Sequence, residues 1–447
     1  MFKGFGDLMK IYIETLGCPK NINDSEMAAG ILEKNGHEII NTPDHADVII
    51  VNTCGFIGDA KKESISKIFE MADLKSNKGM LVVSGCLSQR YGEELYKEMP
   101  EVDLFIGVNE YEKLPELLEQ HDKGVRAKEI GLNEEKYKEL KYRKKLTDVY
   151  SSTIKISEGC DNICTYCVIP QIRGAYRSRK MEAIVEEASS LANEGCKELI
   201  LIAQDVTTYG IDLYKEYVLP ELLRKLCKIE KLQWIRLMYC YEDRITDELI
   251  QVMKEEHKIC NYLDIPLQHS SDAILKVMNR RSTNAGIRKT ISKLRNEIPD
   301  IHIRTTFITG FPGESNEDFD NLYEFVKEMK FNRLGVFAYS KEENTPAAKL
   351  KGQIRSDVKE KRKDALMRLQ LEISLKQNTE KINKEFEVMV DERDEDGSYI
   401  GRTRYDAPEI DNSVIFTSER KLNPGDIVKV KITDAFDYDL VGMEAII

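Results

Sequence analysis

From about residue 10 to residue 120, short apolar runs alternate with stretches of helical period. IYIET, DVIIVN and MLVVS read as strands; DSEMAAGILEKNG, a segment near 58–74 and SQRYGEELYKEM read as helices. That alternation is the βαβ signature of a parallel sheet. Between 121 and 152 apolar residues thin out and Lys141, Arg143, Lys144 and Lys145 cluster, which predicts a charged connector and a domain boundary.

The alternation resumes from about 153 to 340 through TIKIS, ELILIAQ, WIRLMY, YLDIPLQ, HIRTTFIT and RLGVFAYS, each followed by a helix-like stretch. Six strand–helix units predict an open, partial relative of the eightfold α/β barrel. A charged helix over roughly 355–380 leads into EFEVMV, SYIGRTRY, SVIFT, DIVKVKIT and DLVGMEAI, with Asp396-Gly397 and Pro424-Gly425 as turns. These short alternating strands predict a small antiparallel β-barrel. The expected fold class is therefore α/β with an appended β-barrel, divided as 9–121, a linker at 122–152, 153–379 and 380–447. At 447 residues the chain exceeds what one hydrophobic core supports.

Apolar stretches run to only about six residues, whereas a bilayer-crossing helix takes about twenty. The opening MFKGFGDL lacks the apolar core of a secretory signal, so the expectation is a cytoplasmic protein without membrane attachment. A net charge of -12 disfavours a general nucleic-acid-coating role and permits a basic protein partner. Ten cysteines without a secretory signal point away from a disulfide framework and towards metal.

Cys160, Cys164 and Cys167 are spaced C-x3-C-x2-C in EGCDNICTYCVIP, directly after the first strand of the central domain. Loops at the carboxyl ends of barrel strands are where such folds keep their chemistry. Three thiolates can hold three irons of a 4Fe-4S cube and leave the fourth open, whereas a structural zinc site is closed by four protein ligands. An open iron could chelate the amino and carboxylate groups of S-adenosylmethionine, and one electron would then cleave its carbon–sulfur bond to a 5′-deoxyadenosyl radical. The alternatives are a zinc site completed by a distant residue, or unrelated buried thiols.

Cys18, Cys54 and Cys86, in LGCPKN, NTCGF and SGCLSQR, each follow an apolar strand of the first domain. Parallel strands put successive carboxyl ends on one edge, so these loops are expected to meet there. Three soft ligands again suit an iron–sulfur cluster with an open iron; buried structural cysteine is the other reading. Cys196, Cys227, Cys240 and Cys260 fit no such pattern and are expected to pack, and the six histidines, His269 in PLQHSSD among them, read as core or pocket residues.

The central spacing, with Tyr166 before the third cysteine, resembles the radical S-adenosylmethionine superfamily. Two cysteine sets in two α/β domains followed by a small β-barrel resemble, over nearly the whole chain, the methylthiotransferases, whose barrel is called TRAM. LGCPKNINDSE is similar to the branch that modifies a ribosomal protein; the transfer-RNA branch usually carries G-C-x-M-N. The likeness runs through NTCGFIGDAKKESI, VSGCLSQRY, EGCDNICTYCVIPQIRGAYRSR, LDIPLQHSSD, TFITGFPGE and RTRYDAPEIDNSV, with Asn23 standing where an apolar residue is usual.

That resemblance implies two 4Fe-4S clusters, S-adenosylmethionine as radical source and methyl donor, and an electron donor such as flavodoxin or ferredoxin. The implied substrate is one aspartate of the small-subunit ribosomal protein numbered twelve, methylthiolated at its β-carbon. Such a C–H bond is too weakly acidic for side-chain bases, so a radical is needed. In 381–447 nine Lys or Arg face sixteen Asp or Glu, a surplus of seven negative charges that suits a basic ribosomal protein. Such a domain makes a poor transfer-RNA clamp, although Arg177, Arg179, Lys180 and the Lys141 cluster could line a phosphate path. Further cofactor contacts are expected at strand ends: Gln204 and Asp205 after LILIA, Arg304 in HIRTTFI, and Gly310 with Gly313 in TGFPGE, where glycine lets backbone approach a ligand. For each of these a turn that only stabilises the barrel is the alternative. The competing functions are a transfer-RNA methylthiotransferase and a non-catalytic zinc-bound ribosome-interaction protein.

Overall fold

The computed structural model describes residues 8–121, 126–131, 136–140 and 142–445. Lys141 and the first seven residues of MFKGFGDL lie outside them. The chain folds as two compact units, the first comprising residues up to 148 with 155–179 and 340–345, the second comprising 149–154, 180–339 and 346 onward.

In the first unit, strands β1 (Lys10–Thr15), β2 (Glu38–Ile40), β3 (Val48–Thr53), β4 (Met80–Gly85), β5 (Leu104–Ile106) and β6 (Ala127–Glu129) form a sheet in the order β2-β1-β3-β4-β5-β6. Every pairing is parallel. The central strands β3 and β4 are buried along their whole length, as a sheet covered on both faces requires. Their period of two divides them between two cores: Val48, Ile50 and Val82 pack with Ala28, Ile31 and Leu32, while Ile49, Val51, Leu81 and Val83 pack with Ile68, Met71 and Leu87. Each such side chain contributes about 1.5–3 kcal/mol by leaving water.

Helix α1 (Pro19–Lys34) starts five residues before the apolar pattern that predicts it, with Cys18 as N-cap and Pro19 in its first turn. Its early turns are polar yet buried, including Lys20, Asn21, Asn23, Asp24, Ser25 and Glu26. Helices α2 (Gly58–Leu74) and α3 (Cys86–Glu98) follow the expected segments.

The expected connector is largely part of this unit. Its residues 127–129 supply β6, a short edge strand too polar to be legible as one. Arg143 and Lys145 close on the fully buried Glu26, Arg143 Nε donating at 2.9 Å and Lys145 Nζ lying at 2.9 Å. Burial alone would raise the Glu26 carboxyl, but Arg143 and then Lys145 hold it below the usual range. Both cations are thus engaged in buried ion pairs. Arg177 and Arg179 are likewise buried, Arg177 donating to the Arg173 carbonyl and Arg179 to Glu139 and the Lys155 carbonyl.

Next in the chain come β7 (Ser151–Lys155), the edge of the second sheet, and β8 (Ser157–Glu158), which pairs antiparallel with β9 (Arg177–Ser178). The second unit continues with β10 (Glu198–Ile202), β11 (Trp234–Leu237), β12 (Ile259–Asp264), β13 (His302–Thr309) and β14 (Arg333–Ala338), ordered β7-β10-β11-β12-β13-β14. Sequential order without closure is the expected open partial barrel of six strands. The helix Ser356–Thr379 lies against β13 and β14.

Strands β15 (Glu385–Arg393), β16 (Tyr399–Thr403), β17 (Val414–Thr417), β18 (Ile427–Ala435) and β19 (Leu440–Glu444) close a five-stranded barrel. Four pairings are antiparallel, but β17 and β19 run parallel. An odd number of strands cannot close with every neighbour antiparallel, so one parallel pair completes the small antiparallel barrel expected. The RTRYDAPEIDNSV segment docks this barrel on the central sheet: Arg402 meets Glu198 at 2.6 Å, Arg404 donates to the carbonyls of His257 and Ile259, and Asp406 accepts from Arg333.

Candidate metal centre

Cys18, Cys54 and Cys86 follow β1, β3 and β4, three adjacent strands of the first sheet, so their loops converge on its carboxyl edge. Asn21, one turn into α1, braces them. Its Nδ2 donates to the Leu16 carbonyl at 2.8 Å and the Thr53 carbonyl at 3.1 Å, and its Oδ1 lies 3.8 Å from Cys86 Sγ. Thr53 Oγ1 donates to the Ser84 carbonyl, and Ser64 Oγ both accepts from the Cys54 amide and donates to its carbonyl. Two glycines are dictated by closeness as well as by backbone. Gly17 (φ 98°) would bring a Cβ 2.8 Å from Cys54 Cβ, and Gly85 (φ 92°) would bring one 2.5 Å from the Thr53 carbonyl.

The three thiols feel one another. Burial pushes the Cys54 thiol up to about 11, with Cys86 and Cys18 adding to the rise and Arg173 opposing it. Burial also raises Cys86, again against Arg173. Thiols brought together at one sheet edge are the donor type of a soft metal centre. Among the described residues no three His, Cys, Asp or Glu side chains form a group that could hold a metal ion.

Cys160, Cys164 and Cys167 sit in a loop pinned at its mouth by the β8–β9 ribbon. Within it the Cys160 amide donates to the Gly174 carbonyl, the Tyr176 amide to Asp161 Oδ1, and the Cys167 amide to the Cys164 carbonyl. The amide of Asn162 reaches Cys160 Sγ and that of Ile169 reaches Cys167 Sγ, each at 3.4 Å. Such N–H···S bonds favour thiolate over thiol. Tyr166 is half-buried in the turn between the last two cysteines.

Both cysteine sets belong to the first unit, and a buried network ties them. Lys155 Nζ lies 2.5 Å from Asp24 and 2.6 Å from Glu158. Arg173, on the short helix Ile169–Arg173 just after Cys167, lies 2.7 Å from Asp24 and 3.2 Å from Glu158 through Nη1. Its Nη2 donates to Asn21 Oδ1 at 3.0 Å and to Cys86 Sγ at 3.2 Å. Val168 and Ile172 pack on Cys86 and Val108. Sequence reasoning missed Asn21, Asp24, Lys155, Glu158 and Arg173. For Asn21 and Asp24 the available signal was the polar run PKNINDSE at the start of a helix otherwise apolar on its core face; Lys155, Glu158 and Arg173 had none.

In the second unit, Gln204 and Asp205 stand just after β10 as expected, but Asp205 is engaged by Thr207, Thr208 and Arg244. The amides of Gly310 and Phe311 donate to Glu314 Oε2 at 2.7 and 3.1 Å, so this turn cradles its own carboxylate. Gly313 faces open space at its α-carbon. Arg304, the third residue of β13, pairs with Asp411 at 2.7 Å. His269 is fully buried and accepts from the Ser271 amide through Nδ1. Cys196, Cys227, Cys240 and Cys260 are buried, as packing residues should be.

Comparison with known proteins agrees with this architecture. Residues 10–107 match the uncharacterized protein family UPF0004, 154–326 the radical SAM superfamily and 382–445 the TRAM domain. The chain is 49% identical to the ribosomal protein uS12 methylthiotransferase RimO of Lachnoclostridium phytofermentans, covering 97% of this chain and 99% of that one. It is 51% identical to the protein of that name from Caldanaerobacter subterraneus, covering 97% and 100%. The radical S-adenosylmethionine methyltransferase TsrM of Kitasatospora setae, solved with cobalamin and a 4Fe-4S cluster, shares the fold at 15% identity. Its TM-score is 0.56 over 76% of this chain and 77% of that one. The identity over nearly the full length of these relatives settles the family: the chain belongs to the radical S-adenosylmethionine methylthiotransferases, in the RimO group.

Proposed function

We infer that this enzyme places a methylthio group on the β-carbon of an aspartate in small-subunit ribosomal protein uS12. The observation that carries the chemistry is the pair of three-thiol sets held in one buried frame. Cys160, Cys164 and Cys167 would hold one 4Fe-4S cluster and Cys18, Cys54 and Cys86 a second, each with one iron lacking a protein ligand. S-adenosylmethionine bound at the first supplies, on one-electron reduction, a carbon radical able to take hydrogen from an unactivated C–H bond, and a second equivalent supplies the methyl group.

The residues of the chain do the positioning. The ribbon and the Gly174 carbonyl fix the loop that carries Cys160, while Asn21 fixes the strand ends that carry Cys18 and Cys54. Tyr166, Gln204, Gly310 and Gly313 are the proposed S-adenosylmethionine contacts; Asp205, already engaged, would act by shaping that strand end. The substrate follows from the relatives' name and from the seven-charge acidic surplus of 381–447, which complements a basic ribosomal protein. No helix among the described residues is long and apolar enough to cross a membrane, in keeping with a cytoplasmic site of action, and a flavodoxin or ferredoxin would serve as reductant. Mass spectrometry of uS12 from cells lacking this chain tests reaction and target together. The expected result is loss of the methylthio mass from uS12 with transfer RNA unaltered; unmodified transfer RNA and intact uS12 would reverse the substrate assignment.

A further inference from the structure

Arg173 is among the largest fully enclosed side chains of the protein, with 2% of its surface exposed. A buried guanidinium is costly unless its charge is matched and its donors used. Asp24 and Glu158 supply two negative charges, but Lys155 lies against the same two carboxylates. Two cations and two carboxylates already balance, so neutralisation alone does not explain where the second arm of Arg173 points. That arm, Nη2, meets no carboxylate: it donates to Asn21 Oδ1 and to Cys86 Sγ at 3.2 Å. Arg173 therefore has a fork in which one tine is anchored by charge and the other is presented to a sulfur.

The backbone of Arg173 belongs to the opposite cysteine set. It lies six residues beyond Cys167, on a helix whose Val168 and Ile172 pack against Cys86. Anchorage comes from both sides: Asp24 follows Cys18 on α1, and Glu158 precedes Cys160 on β8. A charged donor on a ligating sulfur stabilises the more negative oxidation state, and hydrogen bonds to sulfur are among the levers that set cluster potentials.

We propose that Arg173 is a positioning residue for the first-domain cluster, donating from the segment that carries Cys160, Cys164 and Cys167 to the Cys86 sulfur and raising that cluster's potential. This rests on the reading of Cys18, Cys54 and Cys86 as cluster ligands. The proposal concerns a single hydrogen bond; no bond is made or broken beyond the one-electron reduction supplied by dithionite in the test.

The test is an anaerobic potentiometric titration with dithionite, followed by electron paramagnetic resonance, of the full reconstituted chain and of its Arg173→Gln and Arg173→Lys variants. Wild type should show two midpoints; a single one would defeat the two-cluster reading itself. In Arg173→Gln one midpoint should fall while the other stays, with Arg173→Lys between. Two midpoints unchanged in Arg173→Gln would overturn the proposal. If Arg173→Gln binds iron only at the Cys160 set, Arg173→Lys must restore iron to the other, and equal loss from both variants would overturn the proposal as well.

Discussion

Asp24 and Lys155, 131 positions apart in the chain, meet at 2.5 Å with almost no exposure to water. One stands at the beginning of the first domain's helix and the other at the end of the central domain's first strand. Through this pair the loop carrying Cys160, Cys164 and Cys167 folds as part of the unit that carries Cys18, Cys54 and Cys86.

Removing the charge of Asp24 leaves Lys155 and Arg173 sharing Glu158 alone. Breaking a buried pair by deleting one partner costs about 3 kcal/mol or more. Asp24→Asn should therefore lower the thermal unfolding midpoint by several degrees and reduce iron uptake at both cysteine sets. Calorimetry and iron analysis of the same preparation check this.

Gly17 should tolerate no side chain. At φ 98° and with a Cβ placed 2.8 Å from Cys54 Cβ, Gly17→Ala should cost about 1–3 kcal/mol. The loss should fall on the first-domain set: iron at Cys160, Cys164 and Cys167 should be retained while the other half is lost.

Asp406 predicts an acid limb in the stability of the second unit. Burial would raise this carboxyl, but Arg333 and then Lys381 hold it down to about 2, against roughly 3.9 when unfolded. A depressed carboxyl stabilises above its unfolded value and loses that contribution as pH falls through the folded one. The protein should thus lose about 2 kcal/mol between roughly pH 4 and pH 2 from this group. Asp406→Asn should be less stable at neutral pH and lack that part of the slope, as urea titrations at stepped pH would show.

The two cysteine sets should separate functionally. Ala at Cys160, Cys164 or Cys167 should abolish 5′-deoxyadenosine formation, whereas Ala at Cys18, Cys54 or Cys86 should spare some of it and stop sulfur insertion. Chromatography of the nucleoside product and mass analysis of uS12 distinguish the two.

Much of this was legible in the sequence because the decisive signals are local. The apolar runs that became β3 and β4 are flanked by polar residues, and C-x3-C-x2-C is a contiguous motif. Cys18, Cys54 and Cys86 were expected just after strands, and the structure places them there, after β1, β3 and β4. What escaped was set by residues distant in the chain. Arg143 and Lys145 read as part of a charged connector, but Glu26 closes on them from α1. RTRYDAPEIDNSV was readable as a family likeness, but its role in docking the barrel depends on Glu198, Arg333 and His257. Arg304 reads as a strand-end residue, but its ion pair with Asp411, 107 positions away, leaves no local trace. Polar residues that serve each other across a fold leave no periodic trace.

The most direct test is the metal content of the anaerobically reconstituted full chain with each set intact or replaced by Ala. The account predicts about eight irons in the wild type, two clusters of four, falling to about four when either set is replaced, with a dithionite-dependent paramagnetic signal in every case. About four irons in the wild type that vanish with the Cys160 set alone, or zinc in place of iron, would contradict it.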